Sequence, residues 1–359
     1  MKKHLHYLLI LFLLLTGLSS KADARAYEVD GLWYDINTDD STATLINNIY
    51  TGTYYMAEVI IPSSITVQGK TYRVTKLNRL SFRGSPNLKS ITIPNTVTSI
   101  GWWCFKDCTN LTSIIIPNSV TELEDGCFLG CTSLTNITLS NSLTKLEWRC
   151  FEDCIMLKSI TIPTSVTKLP DECFYNCRSL TNVTLTDSLT ELGTSCFEKC
   201  RNLKSITLPE TVTKVGARCF RGCDNLEEVT CLALTPPQTG YKGRSSYTSF
   251  EWYTQKKLYV PDSALEDYKN SYEWGAIFLF GIFPLSASGI KAISKDTVNV
   301  KSENGMITLS NVPNTVPVSV YSTSGQLLGS GRGNISVSAQ GTTMVIVKVG
   351  GKRYKVLVK

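Results

Sequence analysis

The sequence predicts a repeat solenoid of short parallel β-strands with helical or 3-10 returns, followed by a small all-β sandwich. Three observations carry that reading. A 23-residue unit recurs without a gap from Asn87 to Asp224, and its apolar residues stand at fixed places. The repeats, with every cysteine and every tryptophan, stop before residues 290–359. A fixed period of this length is the signature of stacked coils.

The segments beginning at Asn87, Asn110, Ser133, Met156, Ser179 and Asn202 share the pattern x-L-x-x-I-x-I-P-x-S-V-T-x-L-x-x-x-C-F-x-x-C-x. Leu88, Ile91 and Ile93 supply the inward side chains of a short strand, and Lys89, Ser90 and Thr92 point out. Pro94 ends the strand because it cannot donate to a ladder. Val97 and Ile100 point inward from a second extended piece, and Phe105 and Cys108 from a helical turn on the return. One coil cannot bury these residues alone, whereas stacking joins them into one core. At about 4.8 Å per stacked strand, seven or eight coils make a rod of roughly 35–40 Å.

The flanks extend this plan. Residues 55–232 form the solenoid; the first unit, 55–86, carries nine extra residues, with Ser81 and Ser85 at the two cysteine positions. The alternation of 65–74 around Gln68-Gly69 reads as a hairpin. Residues 27–54 are expected to cap the N-terminal end. Residues 233–285 are expected to cap the other end, using Leu258, Tyr268, Trp274, Phe278 and Ile282. A linker at 286–289 leads to the β-sandwich at 290–359, where 345–349 and 353–358 flank the hairpin signal Gly350-Gly351.

Residues 1–26 read as an export signal. Lys2 and Lys3 precede an apolar run at 7–15, and Ala22-Asp-Ala24 or Ala24-Arg-Ala26 offers a cleavage site, with the cut after Ala26 favoured. The run is too short to span a bilayer, so no transmembrane segment is expected after its removal. The only histidines, His4 and His6, leave with it. That excludes Ser-His-Asp catalysis, histidine-ligated zinc and histidine pH switching. The formal charge of +6 falls to +3, divided into −4 for 27–289 and +7 for 290–359. No basic block suits nucleic acid.

Neither a catalytic residue nor a metal site nor a cofactor is expected. Glu124, Asp125, Asp171 and Glu172 share loops, but nothing singles out a pair in a cleft. The cysteine pairs, 104/108 to 219/223, lack the C-x2-C spacing of a metal site. Thirteen cysteines in an exported chain suggest disulfides. An i, i+4 pair on a helical turn, however, is poorly placed for a bridge, and free cysteine packs well as a small apolar residue. Buried thiols are the favoured reading; bridges between or within coils stay open.

Two sets of residues are candidates for ligand binding. Lys89, Lys158 and Lys204 share an outward strand column with Thr112, Thr135 and Thr181. Thr92, Thr138, Thr161, Thr184, Thr207 and Thr230 form another, broken by Ile115. A threonine-rich outer face is also simply what exposed strands favour. Trp102, Trp103 and Trp148 lie outside the core pattern, where they either form a sticky patch or pack on neighbouring coils.

The I-P-x-x-V-T-x-L…F-x-x-C order, the Val29-Asp-Gly31…Tyr34 start and the Leu258-Tyr-Val-Pro261 segment resemble the Treponema-type leucine-rich repeats of BspA-like bacterial surface proteins over about 27–285. Here a first cysteine replaces the alanine usual in that group. The tail, with Pro317-Val-Ser-Val-Tyr321, Gly325, Gly341…Val347-Lys-Val-Gly350 and Tyr354-Lys-Val-Leu-Val-Lys359, resembles the C-terminal sorting domain of the type IX secretion system of Bacteroidota, with Val345 where that group has an aromatic. These resemblances imply a secreted, non-enzymatic, adhesin-like protein on the outer cell surface. Its partner would be a host extracellular-matrix or cell-surface protein, or a glycan, and residues 290–359 would engage the secretion machinery. A carbohydrate-active or carbohydrate-binding protein and a structural surface-layer protein are the alternatives.

Overall fold

The computed structural model describes residues 26–48, 52, 54, 56–240, 248–250, 255–278, 281–288, 299–303, 306–310, 312, 316–322, 327–339, 344–349 and 352–357. The export signal expected at 1–26 lies outside these, apart from Ala26, as does Gly289 of the linker expected at 286–289.

The body is a parallel β-solenoid of about nine turns. It opens with β1 (Ala26–Val29), β2 (Leu32–Asn37) and β3 (Thr42–Ile46), paired antiparallel in sequence. β3 then pairs parallel with β6 (Lys70–Leu77), the first rung of a row of short strands. β5 (Ser64–Val67) folds back on β6 through Gln68 and Gly69, both at positive φ. That is the hairpin expected from the alternation.

Two parallel rows run along the rod. The longer strands begin with β4 (Glu58–Ile60) and recur as Ser90–Thr92, Ser113–Ile115 and so on every 23 residues to Glu228–Cys231. Lys257–Val260 and Ile282–Pro284 add two final rungs. The second row carries two-residue strands such as Ser99–Ile100 and Glu122–Leu123, ending at Gln238–Thr239. Register is kept because each coil places the same residue type opposite its neighbour, as Ile160 opposite Val183.

The returns are not helical, which corrects the sequence reading. Each is a chain of turns with a left-handed residue immediately before each cysteine, for example Trp103 (φ 55°) and Asp107 (φ 58°), then Arg149 (φ 54°) and Asp153 (φ 58°). Backbone N–H groups alternate in direction. Those of Trp103, Phe105 and Asp107 donate to the next coil at Asp125, Cys127 and Leu129 (2.8–2.9 Å). Those of Cys104, Lys106 and Cys108 donate three residues back within the coil (3.1–3.2 Å). A helix would direct every N–H along its own chain. Here half are turned to the neighbour, and the left-handed residues make that turn possible. A left-handed non-glycine residue costs about 1–2 kcal/mol, offset by the inter-coil bond and the packing it permits.

Inside, one phenylalanine per coil forms a ladder. Phe82, Phe105, Phe128, Phe151, Phe174, Phe197, Phe220 and Phe250 stack with centroids 4.9–5.6 Å apart and ring planes within 15°. Tyr54 tilts against one end at 5.1 Å, and Phe278 meets the other edge-on at 5.0 Å. The C-terminal end is covered by α1 (Leu265–Asn270) and α2 (Tyr272–Ile277), which bury Tyr268 and Trp274. The Trp274 indole donates to the Pro237 carbonyl at 2.7 Å.

Residues 299–357 contain two antiparallel sheets of three and four strands. Ile307, Leu309, Val318, Val320, Val337 and Val347 bury in one cluster drawn from both. Met344–Val349 and Lys352–Leu357 pair antiparallel across 350–351. Among the described residues no helix is long and apolar enough to cross a membrane.

Candidate functional site

All thirteen cysteines are free and buried. The second thiol of each pair donates to the phenylalanine carbonyl of the preceding coil, as Cys108 Sγ to Phe82 O (3.0 Å) and Cys154 Sγ to Phe128 O (3.3 Å). Burial pushes Cys108 up to about 12 and Cys231 to about 11. It drives Cys104, Cys127 and Cys150 well above the ordinary thiol range. A thiol held protonated in a core is a weak nucleophile and a poor ligand. Among the described residues, no group of three or more His, Cys, Asp or Glu is arranged to hold a metal ion.

The candidate surface is the outer face of the longer strands, because inward side chains fill the core and alternate residues must face out. Lys89, Lys158 and Lys204 are exposed, as are Thr92, Thr138, Thr161, Thr184 and Thr207. Threonines of the lysine column are tied to the backbone: Thr112, Thr135 and Thr181 donate to the carbonyl one coil back at 3.3, 3.0 and 3.1 Å. Their hydroxyl protons are committed, so acceptor lone pairs and methyl groups are what a ligand meets. The other column is longer than the sequence suggested. In register it runs from Ile60 (77% exposed) through Thr92 and Ile115 (69%) to Thr207, and ends at Tyr259 and Phe283. Thr230, expected to face out, is buried to 8%, beside its register partner Tyr259.

The tryptophans lie elsewhere, on the corner after the second strand row. Trp102 and Trp103 pack edge-on at 5.0 Å and are half-buried. The Arg79 guanidinium lies 5.4 Å over the Trp102 ring and the Lys106 ammonium 4.5 Å over Trp103. Trp103 covers Gly126, where a Cβ would come within 2.6 Å of the indole. Trp148 is 56% exposed. The structure therefore separates the two candidate sets rather than joining them. The loop carboxylates serve the scaffold: Glu124 accepts from the Trp102 N–H (3.0 Å), Asp171 from the Thr194 N–H (2.6 Å), and Glu172 from Arg149 (2.5 Å).

Sequence reasoning missed the second row's outer face. Thr75, Thr98, Thr121, Thr144, Thr167, Thr190 and Thr213 form a seven-coil column. Thr144 and Thr190 each donate 3.1 Å to the carbonyl one coil back. Beside it run ion pairs between coils, Lys145–Glu122 (3.1 Å) and Lys168–Glu191 (3.0 Å). The signal was the V-T-x-L segment of the repeat, in which the threonine varies less than the residues around it.

A core of stacked coils, with polar columns repeated on its outside and no assembled reaction centre among the described carboxylates, defines a leucine-rich-repeat scaffold. The chain belongs to the BspA-type leucine-rich repeat family, whose model matches six copies over 46–179 and 149–236. A leucine-rich repeat protein from Bacteroides ovatus is 29% identical with a TM-score of 0.55; the match covers 66% of this chain and 65% of that one, so the chain spans about two thirds of that neighbour. A leucine-rich cell surface protein from Faecalibacterium prausnitzii is 21% identical over 74% of this chain and 96% of that one (TM-score 0.44). The leucine-rich repeat protein of T. pallidum is 23% identical over 49% and 90% (TM-score 0.40). No curated protein matches the chain.

Proposed function

We propose that this is a secreted, non-enzymatic, adhesin-like protein of the outer cell surface, whose solenoid holds a host extracellular-matrix or cell-surface protein through the face of the longer strands. One observation carries the reading: from Thr92 to Thr207 the outward column repeats an exposed β-branched residue at each coil, threonine at all but Ile115, flanked by exposed Lys89, Lys158 and Lys204. Such a face suits many weak contacts that gain strength together. BspA-type repeat proteins are typically at the cell surface, and repeat scaffolds of this kind are generally non-enzymatic. Residues 1–26 act as the export signal, and 290–359 as a β-sandwich sorting domain that engages the secretion machinery.

The test is retention of the full chain on an array of matrix proteins. Replacing Lys89, Lys158 and Lys204 together with Glu should weaken binding at least tenfold more than any single change. The reversed charges should also add salt sensitivity to the binding that remains. Equal binding by the triple variant, or no retention on any matrix protein, rejects the assignment. Separately, deletion of 290–359 should strand the body in the periplasm; normal display would reject the sorting role.

A further inference from the structure

We propose that a trough along the corner between the second strand row and the returns binds an extended, uncharged β-1,4-linked glycan. This site is separate from the strand face assigned above, and either can fail alone.

The trough is built into the coil. A hollow of about 500 Å³ is walled by Lys145, Lys168 and Glu191 on one side and Asp171 and Thr194 on the other. Gly193 and Gly216 form its floor. Those glycines are obligatory: a Cβ on Gly216 would lie 2.4 Å from the Gly193 carbonyl carbon, and one on Gly193 would lie 2.5 Å from the Asp171 nitrogen. The corner is therefore bare at those coils. A second hollow of about 270 Å³, lined by Trp102, Glu122, Glu124 and Asp125, shares Glu147 with the first. The two hollows adjoin at Glu147, with the Lys145 pairs to Glu122 and Glu147 beside them.

The corner column beside the hollows matches a periodic ligand. At 23-residue spacing, one column of this corner reads Trp102, Asp125, Trp148, Asp171. Indole and carboxylate alternate, so the two indoles stand two coils apart, about 10 Å at one strand spacing per coil. A β-1,4-linked hexopyranose chain advances by about one such step per sugar and turns the same face outward at every second sugar. An indole can stack on that face, while the intervening carboxylate accepts hydroxyl hydrogen bonds. Trp148 stands next in the chain to Glu147, which lines both hollows, and is 56% exposed at their rim, a large apolar area available to a sugar face. Trp102 lines the trough, with Arg79 over its ring at 5.4 Å.

Charge selects among glycans. Lys145 is held by Glu122 (3.1 Å) and Glu147, and Lys168 by Glu191 (3.0 Å). The lysines are thus neutralised, and Glu124 and Asp125 leave the Trp102 end negative. An anionic glycan would be repelled there, whereas neutral hydroxyls find fixed acceptors. Asp171, held by the Thr194 N–H at 2.6 Å, loses little freedom on binding, which favours affinity.

The full chain should be titrated calorimetrically with cellohexaose and chitohexaose, with cellotriose for length and hexalysine as a basic peptide. Binding of a neutral hexasaccharide at least tenfold tighter than the trisaccharide, with a change in tryptophan emission, is expected. Trp148→Ala should weaken it at least tenfold, and Asp171→Asn, which keeps the shape of the side chain, about threefold. Thr161→Ala on the strand face should leave it unchanged. Absence of hexasaccharide binding overturns the proposal. So does binding that Trp148→Ala leaves intact, or a trough that takes hexalysine in preference to sugar.

Discussion

The interior coils and the two end coils place different atoms at the same point of the core. From Cys104 to Cys219 the residue before each stacked phenylalanine is cysteine; at the ends it is Ser81 and Ser249, and all are buried. Ser81 Oγ reaches the Leu45 carbonyl at 2.9 Å and the Asn78 carbonyl at 2.7 Å. Ser249 Oγ donates to Val215 O at 2.9 Å and accepts from the Gly240 N–H at 3.3 Å. Between like coils the backbone ladder already pairs the chain, and the position needs a small, polarizable body. Against an irregular cap, the same position needs a directed hydroxyl to fasten unlike segments. The difference teaches that the cysteines are chosen for volume and weak donation rather than for bridging.

The largest expected effect tests the interior. Thiols such as those of Cys104, Cys108, Cys127 and Cys150 are raised by burial, so their stabilising contribution is complete below the ordinary thiol value near 9 and is lost as pH rises above it, through about 12 for Cys108. Each thiol withdraws up to about 1.4 kcal/mol per pH unit. Several together exceed the stability of a typical domain. Cooperative unfolding should begin just above pH 9, followed by tryptophan fluorescence, whereas the end-coil Tyr54, pushed up to about 12, adds only at higher pH. Unchanged stability at pH 11 would contradict a reduced, protonated core.

Next comes the ring ladder. Phe151→Ala removes a ring stacked on both sides and should cost about 3–5 kcal/mol in urea unfolding. Phe250→Ala should cost similar energy but act locally, with hydrogen exchange rising first in α2, because Trp274 and Phe278 pack on that ring.

Smaller effects separate the two kinds of coil. Ser249→Ala leaves the partly buried Gly240 N–H and the Val215 carbonyl short of a partner and should cost about 1–3 kcal/mol. Cys150→Ala removes one sulfur and should cost about 1 kcal/mol. An equal cost at both would erase the distinction. Thr190→Val, on the solvated second row, should change stability by less than about 0.5 kcal/mol.

The period made most of this fold legible. Once the 23-residue unit is aligned, Leu88, Ile91, Ile93, Val97, Ile100 and Phe105 can be placed inward, and all are buried. The returns were misread because an i, i+4 cysteine pair imitates a helical turn. Glycine marks the left-handed positions before the cysteines only at Gly126, Gly130 and Gly222; others are filled by Trp103, Asp107, Arg149, Glu172 and Lys199, which give no such signature. Their conformation is imposed by the next coil, a contact no local pattern records. Ser249 was also hidden, since it returns to the core after the repeat has broken at Pro236-Pro237. Of the candidate surface, the lysine and threonine columns were readable from alternation. The corner trough was not, because it depends on where Gly193, Gly216 and two tryptophans fall relative to one another across coils.

The alternating donation of the returns makes length an adjustable quantity. Every interior coil receives the same bonds from the coil before it and gives the same bonds to the coil after it, as Phe128 to Cys150 and Phe151 to Cys173. A cut at any point of one coil and the equivalent point of the next rejoins matching halves. Excision of 133–155 therefore removes one rung, leaves both caps seated, and keeps every column in line. Recombination between repeats can lengthen or shorten such a rod in whole steps, changing its reach and the number of contacts it offers while each new joint is already a proven fit.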